Sequence, residues 1–582
     1  MDKLRPLFPY LLRYRRALAA GFIFVCISNM LALVGPRVLG WAVDAIRAAE
    51  SRRDLISYVL VLLSVEAAAA IFLYYQRMTL IATSRRIEFD LRNDLFGHLL
   101  KLPFSFYNRQ KTGDIMARAT NDMDAVRSIL GPGIMNAVNT VVVTAVAIPV
   151  MIWISPTLTL YSLLPMVLLP VIVKRLGPLL HERFTAVQEQ FSEVSSHAQE
   201  NLNGIRVVKS YAQEGNVLGQ FRELNREYIQ RNLALVRIYG GFFPMLMSVA
   251  AIGLLLVLWI GGRQVIRTEI TVGDLVAFTQ YHAIITWPMI ALGWVINIYE
   301  RGTASLNRIQ DIMETEPEIR DEKGVRRDLP PVQGAISFRG LSFSYTEEGP
   351  DVLRDVDLEI PAGATVGITG PTGSGKSTLL NLIPRLFEAP PGTLCIDGVD
   401  VREIPLDHLR EAIGMVPQES FLFSESIEEN IAYGLPELIR EEVKEAAVIS
   451  QIHGEIQEFS LGFEEMVGER GVTLSGGQKQ RVALSRAVAR RPAILILDDA
   501  FSSVDTHTEE AILSGLRDIM AERTTLLVSH RVSTLRDADF IVVLEEGRIT
   551  EKGSHGELLR AGGHYAEMAA RQALMDELES LS

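Results

Sequence analysis

The chain of 582 residues has only two cysteines, Cys26 and Cys395. They stand far apart in different halves, so a disulfide framework is not expected. It also lacks a basic balance: 57 Lys and Arg against 70 Asp and Glu leave a net charge of −13. Such a surface is poorly suited to a phosphate backbone, and nucleic acid is not expected as a partner. No small-residue cleavage site follows the N-terminal basic cluster, so a removable leader is not expected. Segments 81–133 and 176–237 lack Pro/Gly-rich linkers and read as long charged helices. What the sequence has in quantity is apolar residues, 48% of the total. The length calls for at least two domains.

The apolar residues are unevenly spread. Six runs near 17–46, 54–80, 134–154, 157–175, 238–262 and 274–299 are long enough, or nearly so, to cross about 30 Å of hydrocarbon as helices. Several, such as VNTVVVTAVAIPVMIWI, carry no charge. Lys3, Arg5, Arg13, Arg15 and Arg16 precede the first run and place the N-terminus in the cytoplasm. An even number of spans returns the C-terminal half to the same side, so a multi-pass protein of the cytoplasmic (inner) membrane is expected. Asp44, Arg77 and Glu300 read as boundary residues facing water. Glu66 is better centred, and two readings stand: a wall of a substrate path, or a water-facing position. Pro288 is expected to kink the sixth span. The expected organisation is a membrane domain over 1–315, a polar linker over 316–333 and a second domain over 334–582.

The second domain opens with strand signals in GAISFRGLSFSY and ATVGITG. GITGPTGSGKST then supplies Gly370, Pro371, Thr372, Gly373, Ser374, Gly375, Lys376, Ser377 and Thr378 between a predicted strand and a predicted helix. Backbone amides of such a turn cradle phosphates, Lys376 reaches the outer phosphate oxygens, and Ser377 ligates Mg²⁺. ILILDD is a buried strand that delivers Asp498 to the same cation. Asp499 follows, where a general base would orient the attacking water.

VTLSGGQKQRVALSRA lies between these elements, and with it the sequence resembles the ATP-binding cassette (ABC) transporters. The resemblance covers nearly the whole chain and implies ATP and Mg²⁺ as ligands. Ser475, Gly476, Gly477 and Gln478 match the family's signature, which contacts the ATP held by another cassette. Tyr345 matches the aromatic residue that stacks on adenine. Gln418 matches the glutamine that senses Mg²⁺, and VGERG at 467–471 matches a cross-subunit loop. Asp505 closes the loop that crosses to the other nucleotide site, and His530 matches the histidine on the γ-phosphate. In the first half, segments 107–127 and 201–214 are similar to those around the coupling helices of exporters. The implied fold is an all-α six-span membrane domain joined to an α/β P-loop NTPase cassette. The implied activity is ATP-driven export of hydrophobic or amphipathic compounds, drawn from membrane lipid, by a pair of such chains.

Asp499 departs from the family pattern, which has glutamate there. The missing methylene pulls the carboxylate back from the attacking water, and a misplacement of that size costs about 10²-fold. The expectation is the hydrolysis-impaired half of a heterodimer, whose intact signature completes the partner's site. A homodimeric exporter or lipid flippase with slow turnover is the first alternative. An ATP-binding membrane regulator or channel that does not pump is the second.

Overall fold

The computed structural model describes residues 2–49, 51–321, 324–346, 349–468, 471 and 473–580. The chain divides into two compact units, Met1–Leu100 with Lys111–Thr315, and Lys101–Gln110 with Glu316–Ser582.

The first unit is helical. Among the described residues, six helices are long and apolar enough to cross a membrane: Arg15–Arg47, Arg52–Leu99, Thr112–Ile154, Pro156–Asn203, Glu214–Ile266 and Val272–Met313. Their boundaries follow local chemistry. Ser51 caps the second helix by accepting from the Asp54 amide. Ser155 ends the third and caps the fourth, with Pro156 at the first helical position, where its missing N–H costs nothing. Thr271 and Asp274 form a reciprocal capping box on the sixth. The fourth helix is interrupted at Val167, because Pro170 has no N–H to donate to the Met166 carbonyl. The sixth helix runs through Pro288 as one element, with that residue buried.

Several buried polar groups among these helices are paired across helices, as suits a medium without water. The Ser162 hydroxyl lies 2.8 Å from His282 Nδ1, and His282 Nε2 lies 3.1 Å from the Ala250 carbonyl. Ser28 donates to Gln76 at 2.9 Å. Asp44 does not simply face water. It is half-buried and accepts from the Gly273 amide at 2.8 Å. The reason is close approach: a Cβ on Gly273 would lie 2.1 Å from the Gly40 carbonyl oxygen. Two glycines let the first and sixth helices touch backbone to backbone, and Asp44 takes one of the orphan amides of the sixth helix's first turn. Glu66, Arg77 and Glu300 are exposed, and Glu66 lies over Gly35 of the first helix.

The second unit is built on two sheets. Strands β1 (Ile336–Phe343), β2 (Leu353–Ile360), β4 (Leu394–Ile396) and β5 (Val399–Asp400) form an antiparallel sheet in the order β2-β1-β4-β5. Strands β3 (Thr365–Thr369), β6 (Ile413–Val416), β7 (Ile494–Asp498), β8 (Thr524–Val528), β9 (Phe540–Glu545) and β10 (Arg548–Gly553) form the other, in the order β10-β9-β3-β8-β7-β6. Every pairing from β9 to β6 is parallel, and β10 is antiparallel at one edge. β7 and β8 are buried at every residue, and the aliphatic run of β7, Ile494–Leu497, suits a strand covered on both faces. The helix Phe104–Arg109 belongs to this unit: Phe104 meets the Phe387 ring edge-on at 5.8 Å, and Ser105 donates to Glu318 at 3.3 Å. The described residues of the expected linker are irregular and tied down. Asp321 accepts from the Leu406 amide at 3.0 Å, and the Gln333 amide donates to Asp397 at 2.7 Å.

Candidate nucleotide site

Open parallel sheets gather ligands at the carboxyl ends of their strands. β3 ends at Thr369 and passes into the Gly-rich turn. Gly370 has φ 141°, and a Cβ there would lie 2.0 Å from the Leu544 carbonyl oxygen. No other residue fits that crossing. Lys376 opens the helix Lys376–Leu382 and folds back over the turn, with Nζ donating to the Gly370 carbonyl at 2.9 Å and the Pro371 carbonyl at 2.8 Å. Burial lowers its ammonium from the ordinary lysine value, and the nearby Asp498 and Asp499 carboxylates push the other way. Ser374 Oγ is buried with no hydrogen-bond partner among the described residues. Pro371, Thr372 and Gly373 are exposed, Gly375 and Thr378 are buried, and Ser377 is half-buried.

β7 carries Asp498, which is 4% exposed. Burial raises its carboxyl above the usual range, and a hydrogen bond with Ser377 opposes this. Asp499 is half-buried, with φ 50°. Gln418, beyond β6, and His530, beyond β8, are both exposed. A cleft of about 270 Å³ is lined by residues 372–378, Gln418, Asp498, Asp499 and His530, with Val352 and Val528. The sheet thus brings together four separate motifs.

Three predicted contributors lie elsewhere. Tyr345 is not a wall of this cleft: its hydroxyl lies 2.7 Å from Thr378 Oγ1 and its ring packs against Phe387 at 4.9 Å. Ser475, Gly476, Gly477 and Gln478 are not among its walls either. Ser475 instead caps the helix Gly476–Ala489 in a reciprocal box with Gln478. Asp505 caps the next helix, Thr506–Ala521, accepting from the Thr508 amide at 2.9 Å. Glu469 and Arg470 of the expected cross-subunit loop fall outside the described residues.

Motif reading missed the residues that hold these pieces. Gln480 donates to Ser502 Oγ at 2.8 Å and accepts from the Ser503 amide at 2.9 Å, tying the signature helix to the loop before Asp505. Glu455 receives both Gln478 at 2.7 Å and Arg481 at 2.6 Å. Only the place of Gln480 and Arg481 just behind the signature hinted at either.

The oxygens on display suit ATP with a hard cation. A Gly-rich turn with an unpaired hydroxyl and a lysine fits phosphates. Ser377, Asp498 and Gln418 offer hydroxyl, carboxylate and amide oxygens, the donor type Mg²⁺ takes. No group of three or more His, Cys, Asp or Glu able to hold a metal occurs among the described residues, so phosphate oxygens and water must complete any such shell.

Comparison with known proteins agrees with this geometry. The ABC transporter transmembrane region model matches residues 18–289, and the ABC transporter model matches 353–502. A probable multidrug resistance ABC transporter ATP-binding/permease protein, YheI of Bacillus subtilis (strain 168), is 36% identical over 97% of this chain and 96% of its own length. The chain is an ABC exporter half-transporter. The multidrug resistance-like ATP-binding protein MdlA of Escherichia coli (strain K12) is 35% identical to this half-transporter over 97% of it and 96% of MdlA. Among solved structures, a bacterial Atm1-family ABC exporter with ATP bound superposes with a TM-score of 0.80 at 28% identity, covering 96% of this chain and 99% of the other. As an ABC exporter half, the chain is a multi-pass membrane protein. Its cassette binds ATP, and hydrolysis there is coupled to export. ABC exporters work as dimers and handle hydrophobic substrates.

Proposed function

We propose that this half-transporter exports hydrophobic or amphipathic compounds across the cytoplasmic membrane as one half of a heterodimer, with its cassette in the cytoplasm. The observation that carries the reading is Asp499 beside an intact, capped signature helix. At its own site the Gly-rich turn, residues 370–378, holds phosphates, Lys376 neutralises the outer oxygens, and Ser377, Asp498 and Gln418 hold Mg²⁺. The cation supplies charge neutralisation for the phosphoryl group. Tyr345 swings from Thr378 to stack on adenine, and His530 contacts the terminal phosphate. Asp499 reaches the attacking water poorly, so ATP is held longer than it is cleaved.

Ser475–Gln478, with Asp505 following, complete the partner's site, where the partner supplies glutamate. That they line no part of their own cleft supports this division. So does the tip around the helix Ile205–Ser210, where Leu202, Val207 and Tyr211 are 69%, 61% and 73% exposed. An apolar tip of this kind outside the membrane needs a second surface to cover it.

A homodimer is the second reading, and one observation favours it. The backbone of Asp499 is left-handed, a conformation in which aspartate is enriched, so local geometry alone gives a reason for aspartate at this position.

The test is purification from the native membrane in mild detergent, with identification of co-purifying chains by mass spectrometry. An equimolar second cassette chain with glutamate after its Mg²⁺ aspartate supports the heterodimer. A stable dimer of this chain alone overturns it. Directional uptake into inverted vesicles then separates a pump from a passive regulator.

A further inference from the structure

The segment that carries His530 is held by two helices outside the cleft. Gln572, on the C-terminal helix His564–Ser580, donates its side-chain amide to the His530 carbonyl at 2.6 Å. Its carbonyl oxygen accepts from the Val532 amide at 2.7 Å. One primary amide therefore spans residues 530 and 532, pairing with a donor and an acceptor as a neighbouring strand would. On a second helix, the one begun by Asp505, Glu509 is 1% exposed and is met by Arg531 and Thr534. Arg531 also reaches the Val504 carbonyl at 3.3 Å, and its own amide donates to Ser529 Oγ at 3.0 Å.

The ring of His530, by contrast, is exposed in the cleft wall and makes no side-chain hydrogen bond among the described residues. Its direction is set by its backbone. The Glu509 side is anchored by a buried charge with two partners and cannot be loosened without orphaning it. The Gln572 side is a pair of hydrogen bonds reaching in from the last helix of the chain.

We propose that Gln572 is a positioning residue that aims His530 at the terminal phosphate of ATP. The C-terminal helix thereby feels, and sets, whether a nucleoside triphosphate or diphosphate occupies the cleft. The proposal rests on His530 as the terminal-phosphate contact. It does not depend on whether this site hydrolyses, because its readout is the preference for ATP over ADP.

The experiment uses the full chain in its native membranes, ice-cold, photolabelled with azido-ATP and Mg²⁺ and competed with ATP or ADP. Gln572→Leu keeps the size and removes both hydrogen bonds. It should cut the ATP-over-ADP preference about tenfold, the weight of roughly one to two net hydrogen bonds, with ADP binding within about twofold of wild type. Gln572→Glu keeps the acceptor for Val532 but sets a carboxylate oxygen against the His530 carbonyl, so it should cut the preference at least as far as Gln572→Leu. In a His530→Ala chain, Gln572→Leu should remove nothing further. Equal loss of ATP and ADP binding would mean general loosening and overturns the proposal, as does an unchanged preference in both Gln572 variants. If His530→Ala itself leaves the preference intact, the reading of His530 has failed, which is distinguishable from failure of Gln572 alone. Should Gln572→Leu not accumulate, Gln572→Glu decides by the same measure.

Discussion

The amide of Asp499 donates to the carbonyl of Val528 at 3.1 Å, continuing the β7–β8 ladder one residue past the end of the strand. The bond holds Asp499 at φ 50°, with its carboxylate in the same cleft as Asp498 and His530. Reach and backbone preference therefore act on one residue in opposite directions. A glutamate would reach further; an aspartate sits more easily.

Asp499→Glu should therefore raise ATP turnover of the assembled protein, by up to about 10² if reach alone limits the step. It should also lower cassette stability by on the order of 1 kcal/mol, because glutamate tolerates the left-handed region less well. Steady-state ATPase and thermal melting of the same preparation check both. Unchanged turnover would rule out the geometric account of the impaired site.

Gly370→Ala tests the turn. With a Cβ 2.0 Å from the Leu544 carbonyl and φ 141°, either β9 or the turn must move. A loss of about 3 kcal/mol or more is expected, seen as a lower melting temperature and loss of azido-ATP photolabelling. Wild-type labelling would show that the crossing relaxes without cost.

Ser475→Ala separates the two sites. Loss of the cap costs about 1 kcal/mol, and Ser475 lines no part of its own cleft. Photolabelling of this chain should stay within about twofold of wild type, while ATPase of the assembled protein falls about tenfold or more. Equal loss of both would place the signature at its own chain's nucleotide.

Asp122 gives a pH dependence in the first unit. Burial alone would raise its carboxyl, but hydrogen bonds from Arg308, 2.8 Å through Nε, and Ser305, 2.9 Å, hold it below the usual range. A depressed folded-state value means that this stabilisation is complete above the unfolded value of about 3.9 and is lost as pH falls through the folded one. Asp122→Asn should lower the melting temperature at neutral pH by about 2–4 °C, a modest figure because Arg308 is half-exposed. The deficit should close as pH drops below about 4. A deficit that is constant with pH would assign the loss to packing rather than charge.

Much of this protein is legible in its residues, and each success has a local cause. Six apolar runs must become helices because no water is there to satisfy a bare backbone. The Gly-rich turn, the LSGGQ signature and the aspartates after ILIL are contiguous, so one stretch of chain carries each motif whole. Contacts with no local cause were not legible. Asp44 reads as a water-facing boundary residue, yet the Gly40–Gly273 approach, 233 residues apart in number, gives it an amide to hold. Gln480, Glu455 and Gln572 are ordinary polar residues on helices until packing sets them against a loop.

The sequence by itself determined the family and the two kinds of domain, because composition and short motifs are properties of the chain alone. Tertiary structure decided which motifs share one cleft and which do not. Asp498, Asp499, Gln418 and His530 converge because β6, β7 and β8 are neighbours in a parallel sheet and end on the same side. Ser475–Gln478, carried on a separate helix, remain outside it. Parallel strands adjacent in space need not be adjacent in sequence, so only the strand order could settle the membership of the site.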